Sequence, residues 1–165
     1  MNITLIGMPG SGKSFIGKRL TSKLGYDLIA IDKLIEHDFG MPLQQVVDKL
    51  RDEVFLDTEA RAVISHTTDR DRIVVSPGGS VVYRADAMEH LRSISTVIFL
   101  DVPLPILERR IGGIPRGIIG ARDKTLGELY SERVELYKKY SHYTIDGDRR
   151  AESVIADILK ATDIL

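Results

Sequence analysis

The stretch Gly7-Met8-Pro9-Gly10-Ser11-Gly12-Lys13-Ser14 fits G-x-x-x-x-G-K-[S/T] at every fixed position. Those residue types at that spacing serve one purpose, which is holding a chain of phosphates. The glycines let the backbone turn its N–H groups onto phosphate oxygens. A helix starting near Gly12 aims its positive end at the same charge. Lys13 can reach the β- and γ-phosphates, and the Ser14 hydroxyl can ligate Mg2+. A second candidate lies further on in LIAIDKLIE, where Asp32 follows an apolar run. A carboxylate accepts hydrogen bonds only and can take up a proton, so it suits the holding or activating of a hydroxyl. At a helix start, the same Asp also serves as an N-cap.

These residues need elements to hold them. Apolar β-type runs at 3–6, 28–31, 73–76, 96–100 and 142–145 alternate with helical periodicity at roughly 12–24, 32–39, 42–68, 84–92, 103–111, 125–140 and 150–161. That alternation predicts right-handed crossovers, a parallel sheet, and helices on both of its faces, in one domain spanning 1–165. Two stretches break the rhythm. SPGGS at 76–80 is a glycine-rich turn directly after a strand, and IGGIPRGIIGARDKT at 111–125 has the length and glycine content expected of a mobile lid.

Composition narrows the class. The 165 residues are 43% hydrophobic, carry a formal net charge of −1 and contain no Cys. Thiolate metal sites and disulfides are thereby excluded, and bulk attraction to nucleic acid or anionic membrane is not expected. The opening apolar run is too short for a signal peptide or membrane span, so a cytoplasmic protein is expected. No N-K-x-D tetrapeptide for guanine occurs. A small phosphotransferase fits best, because transfer to an acceptor other than water requires a cover that excludes water.

Further segments carry a resemblance. IDKLIE (31–36) resembles D-x-D-x-x-I-E, VFLDTEA (54–60) resembles F-R-x-x-E, and PGGSVV (77–82) resembles G-G-G-x-V. IPRGII (114–119) resembles an R-P-L-L lid, and LYSERVELYKKYSHYTID (129–146) resembles L-x-x-x-R-x-x-x-Y before a last strand. In order and spacing these are similar to the shikimate kinase family, along nearly the whole chain. The resemblance implies a P-loop kinase fold, three layers α/β/α around a five-stranded parallel sheet, and transfer from MgATP to a ring hydroxyl of shikimate. Gly10, Ser11, Gly12, Lys13, Ser14 and Phe15 would bind the nucleotide, with Ser14 on the metal. Asp32, Gly78, Gly79 and Arg133 would bind the acceptor, Arg133 through its carboxylate, in a site covered by the helices of about 32–68. Lys13, Asp32 and the lid residue Arg116 would be catalytic, and Arg116 would also lie over the phosphates. Arg110 would stack on adenine, with Arg109 as a rival and the loop after Asp146 on the other side. No partner beyond the small-molecule substrate is implied, and a monomer is expected.

Four positions depart from the pattern. Ala30 stands for the first acid of D-x-D, Leu56 for the arginine of F-R-x-x-E, Ser80 for the third glycine, and Phe15 for a common Thr. In the family the arginine at position 56 shares the substrate carboxylate with the one matching Arg133. Arg61 sits about 140° around a helix from Leu56 and is no direct substitute. Two other readings therefore stay open: a related enzyme acting on another small hydroxylated metabolite, and a nucleotide-binding module without transfer. A nucleoside or nucleotide kinase is a third, with Arg51 and Arg61 as candidate phosphate ligands. Tyr130, Tyr137, Tyr140 and Tyr143 read as one helix face packed on the sheet. The four histidines show no ligand spacing and read as structural.

Overall fold

The computed structural model describes residues 1–112 and 118–164. Its strands are β1 (Ile3–Ile6), β2 (Asp27–Ala30), β3 (Ile73–Ser76), β4 (Thr96–Asp101) and β5 (Tyr143–Asp146). They form one sheet in the order β2-β3-β1-β4-β5, with every pairing parallel. The helices are α1 (Lys13–Leu24), α2 (Ile31–Phe39), α3 (Leu43–Thr67), α4 (Ala85–Ile94), α5 (Leu104–Ile111), α6 (Leu126–Tyr140) and α7 (Ala151–Ala161), with a 3-10 turn at Val81–Tyr83. This is the expected α/β architecture with five parallel strands.

Alternation along the strands divides the core in two. Ile3, Leu5, Val74, Ile98, Leu100 and Ile145 face α1 and α7. Ile6, Ile73, Val75, Val97 and Phe99 face the opposite way, toward α2, α3, α4 and α6. A parallel sheet brings all strand C-termini to one edge, and here β1 sits between β3 and β4 at its centre. The loops that follow β1, β2 and β3 therefore open side by side, in the position where ligands bind in such sheets.

Several boundaries differ from the sequence reading, each for a local reason. The segment 42–68 is two helices joined across Arg51, whose φ of 65° and ψ of 169° are not helical. Tyr143 lies on β5 and is exposed, whereas Tyr137 and Tyr140 of α6 are buried. β2 ends at Ala30 and α2 starts at Ile31 with no loop between them. Ala30 is consequently the N-cap and Asp32 lies inside the first turn, so the capping role does not apply to Asp32. Among the described residues, no helix is long and apolar enough to cross a membrane.

Candidate active site

The phosphate loop is shaped by its glycines. Gly7, Gly10 and Gly12 have φ of 153°, 81° and 96°, a region that L side chains rarely enter. A Cβ on Gly7 would come within 2.8 Å of the Leu100 carbonyl. Gly12 is also the N-cap of α1, and no side chain caps that helix. The first N–H groups of α1 are left for an anion to take. Lys13 donates to the carbonyls of Gly7 and Met8 at 2.9 and 3.0 Å. Ser11 is buried and its Oγ has no hydrogen-bond partner among the described residues. Burial pushes the Lys13 ammonium down to about 8, against the opposing pull of Asp32. Phosphates favour the charged form, so above pH 8 ATP binding must take up a proton. ATP affinity is therefore expected to fall between pH 7 and 9, by up to about tenfold per unit past 8. Calorimetric titration across that range checks this.

Gly10, Gly12, Lys13, Ser14 and Phe15 border a cavity of about 460 Å3. Asp32, Gly78, Gly79 and Arg133 line the same cavity, so the phosphate-loop residues and the acceptor residues singled out from sequence meet in one place, with Glu59 beside them. Ser14 and Phe15 sit on its exposed side, and the Phe15 ring carries the Arg19 guanidinium 4.4 Å above it. Asp32 Oδ1 has no hydrogen-bond partner among the described residues. Burial raises the Asp32 carboxyl, with Lys13 pulling it back.

Gly78 and Gly79 follow β3 and are glycines for want of space, since neither has a positive φ. A Cβ on Gly78 would stand 2.3 Å from Glu59 Oε2 and 3.0 Å from Asp32 Oδ1. A Cβ on Gly79 would stand 2.9 Å from Pro9 Cδ and 3.2 Å from Arg133 Nη1. Gly78→Ala is therefore expected to displace both carboxyls and lower kcat/KM for the acceptor about 100-fold. Steady-state kinetics with unchanged ATP binding would localise the effect to the acceptor side.

Arg133 is 1% exposed, so it is no solvated helix-face residue despite Glu132 and Glu135 beside it. Its Nε donates to the Tyr83 hydroxyl at 3.1 Å and its Nη2 to the Ile119 carbonyl at 2.7 Å. Tyr83 donates in turn to Glu132 at 2.9 Å, and Lys124 closes the chain on Glu132. The Tyr137 hydroxyl donates to Gly79 O at 2.6 Å, and its ring stacks on Phe99 at 5.1 Å.

Arg110 donates to Gly10 O at 3.0 Å and pairs with Asp148 in the loop after β5 at 3.8 Å. Of Arg109 and Arg110, it is Arg110 that contacts the phosphate loop and that β5 loop. Arg116 and the middle of the expected lid lie outside the described residues. On the near side of that stretch, Ile118 and Ile119 are buried and line the cavity.

Leu56 is turned into the core with 5% exposure and does not reach the cavity. Arg61 lies in a groove between α2 and α3, and Arg51 is exposed at the break in α3. Arg133 is thus the sole arginine among the described residues of the cavity wall. Glu59, the closing acid of the segment that resembles F-R-x-x-E, is the cavity residue to which the sequence assigned no role. It falls one turn from Phe55 and one turn before Val63 on the buried side of α3, and an acid in an apolar helical stripe is the signal. His90 bonds Thr67 Oγ1 and His142 Nδ1 accepts from Val97 N, both structural contacts.

A family model described as shikimate kinase matches residues 9–163. The chain belongs to the shikimate kinase family. A shikimate kinase from Clostridium botulinum (strain 657 / Type Ba4) is 33% identical over 158 residues, 93% of this chain and 92% of its own. The shikimate kinase of Acinetobacter baumannii, solved in complex with shikimate, superimposes with a TM-score of 0.85 at 26% identity, over 96% of this chain and 90% of that one. That of Aquifex aeolicus gives 0.84 at 25% identity, over 99% and 96%. The kinase fold and the phosphotransferase class expected from sequence are those of this family.

No cluster of acidic or histidine side chains among the described residues forms a metal cage. A lone Ser14 hydroxyl at the cavity edge fits Mg2+, which keeps waters and takes most of its other ligands from nucleotide phosphates.

Proposed function

We propose that the protein transfers the γ-phosphoryl group of ATP to a ring hydroxyl of shikimate. The observation that carries this reading is that the phosphate loop, an Asp32 oxygen without a partner among the described residues, and the buried Arg133 share one cavity. The phosphate-loop N–H groups and Lys13 hold the β- and γ-phosphates, and Lys13 exchanges its carbonyl contacts for them. Ser14 would hold Mg2+, which neutralises developing charge on the phosphates when bound. Arg133, fixed by Tyr83 and Ile119, takes the acceptor carboxylate through its planar fork. Asp32 accepts from the reacting hydroxyl, orients it at the γ-phosphorus, and takes its proton as the O–P bond forms. Arg116 of the lid would add charge over the phosphates. Every residue invoked comes from one chain, so the reading needs a single copy.

Purified protein with MgATP is expected to release ADP when shikimate is added. Gluconate and nucleoside monophosphates serve as comparison acceptors. No release above background at well past millimolar shikimate overturns the reading. One observation favours a second acceptor within the same chemistry: with Leu56 in the core, the cavity has a single described arginine for a carboxylate. An acceptor without a carboxylate, outperforming shikimate in that panel, would establish it.

A further inference from the structure

Two carboxyl oxygens of the cavity have no hydrogen-bond partner among the described residues, Asp32 Oδ1 and Glu59 Oε2. They converge on the same point over Gly78, as the near contacts of a Cβ there show. Asp32 is engaged by the mechanism above and Glu59 is not. Glu59 is also the deeper of the two, at 1% exposure. A buried polar atom without a partner is costly, so an orphan oxygen in a ligand cavity points to a partner that arrives with the ligand.

The surroundings decide which form of Glu59 meets that ligand. Ser80 Oγ donates to Oε1 at 2.8 Å. With Oε1 accepting, the proton of a neutral carboxyl belongs on Oε2, the oxygen without a partner among the described residues. Among the described residues, the charged groups facing Glu59 are Asp32 from α2, Lys13 from α1 and Arg133 from α6, with the Tyr137 hydroxyl also nearby. Neither cation bonds it, because Lys13 is turned to Gly7 and Met8, and Arg133 to Tyr83 and Ile119. Burial, and then the Asp32 charge, push the Glu59 carboxyl up to about 7. An anionic acceptor adds a further negative charge and pushes the same way.

We infer that Glu59 meets the acceptor as a neutral acid, donating a hydrogen bond from Oε2, and that Ser80 is the positioning residue that directs the proton there. This rests on the reading of an anionic acceptor phosphorylated in this cavity. The carboxyl then does part of what a cation beside Arg133 would do, offering a donor to an anion where Leu56 offers none. Acceptor binding above neutral pH must take up one proton from solvent at Glu59, and no other bond is made or broken.

Shikimate is titrated into the intact protein with MgADP at pH 7.5, in two buffers of different ionisation heat. The wild-type protein is expected to take up on the order of half a proton or more per shikimate, and Glu59→Gln little or none. With saturating MgATP, the wild-type KM for shikimate is expected to climb toward about tenfold per pH unit above 7. The Glu59→Gln profile should stay flat until Lys13 titrates, and its KM at pH 6 should stay within a few-fold, since the amide also donates. Ser80→Ala removes a bond that favours the charged carboxylate, so its KM should begin to climb at a higher pH than in wild type. If Glu59→Gln does not fold, that displaced Ser80→Ala profile decides. Unaltered proton uptake and pH profiles in the variants of an active enzyme overturn the inference alone. A wild-type protein that does not turn over shikimate overturns the functional reading and this inference with it.

Discussion

Asp32→Asn is expected to lower kcat by two to four orders of magnitude, roughly the range that removing a positioned general base produces. The substitution keeps size and shape, so the α2 helix and the cavity wall should be unaffected in a thermal melt. What changes is chemistry: a side chain that only accepts hydrogen bonds gains an NH2 donor, and a group able to take a proton is lost. Oδ1, without a partner among the described residues, is the atom the hydroxyl would use. A second readout distinguishes this role from a structural one. Asp32 is the largest influence opposing the downward push of burial on Lys13. In Asp32→Asn the lysine should lose its proton at lower pH, so the alkaline fall in ATP affinity should move down from about 8. A kcat within tenfold of wild type would remove Asp32 from the mechanism.

Arg133→Met is expected to raise the KM for shikimate roughly 30- to 5,000-fold, the equivalent of about 2–5 kcal/mol for removing one side of a buried charged pair. The loss should be large because no second arginine of the described wall shares the load. Methionine fills similar space without the fork, leaving the Ile119 carbonyl without its donor and the Tyr83 hydroxyl without its Nε contact. Stability should fall as well, by about 1–3 kcal/mol for an unpaired buried acceptor. Arg133→Lys is the control, retaining the charge but not two parallel donors, and should land between the two. If the true acceptor lacks a carboxylate, Arg133→Met would move its KM little, which makes the experiment a test of substrate class as well.

Much of the fold was legible because its signals are short-range. Runs such as Ile3–Ile6 and Ile73–Ser76 alternate with amphipathic stretches, and the structure gives strands there over those same residues. The phosphate loop was legible because its geometry is written in consecutive residues. The acceptor side was harder, because it depends on directions that spacing does not encode. Arg133 follows Glu132 and precedes Glu135 by two in a helix that reads as solvated; distant residues cover it, among them Tyr83, fifty positions earlier, and Ile119. Leu56 resembles a vacancy in the site from sequence, yet its side chain points into the core. Glu59 and Ser80 are 21 residues apart, and nothing local says that the hydroxyl meets the carboxyl. The break at Arg51 carries no Gly or Pro and leaves no mark in the hydrophobic pattern.

Tyr137 has a mechanical consequence. Its hydroxyl is bonded to the carbonyl of Gly79, on the acceptor turn, and lies 3.8 Å from Met8 Sδ, in the phosphate loop. The ring is backed by Phe99 of β4, so this spacer rests on the sheet itself. Pro9 abuts the space over Gly79 from the other side. The loops after β1 and β3 are thus tied to one phenol that rests on the sheet, so the donor and acceptor turns share a common footing.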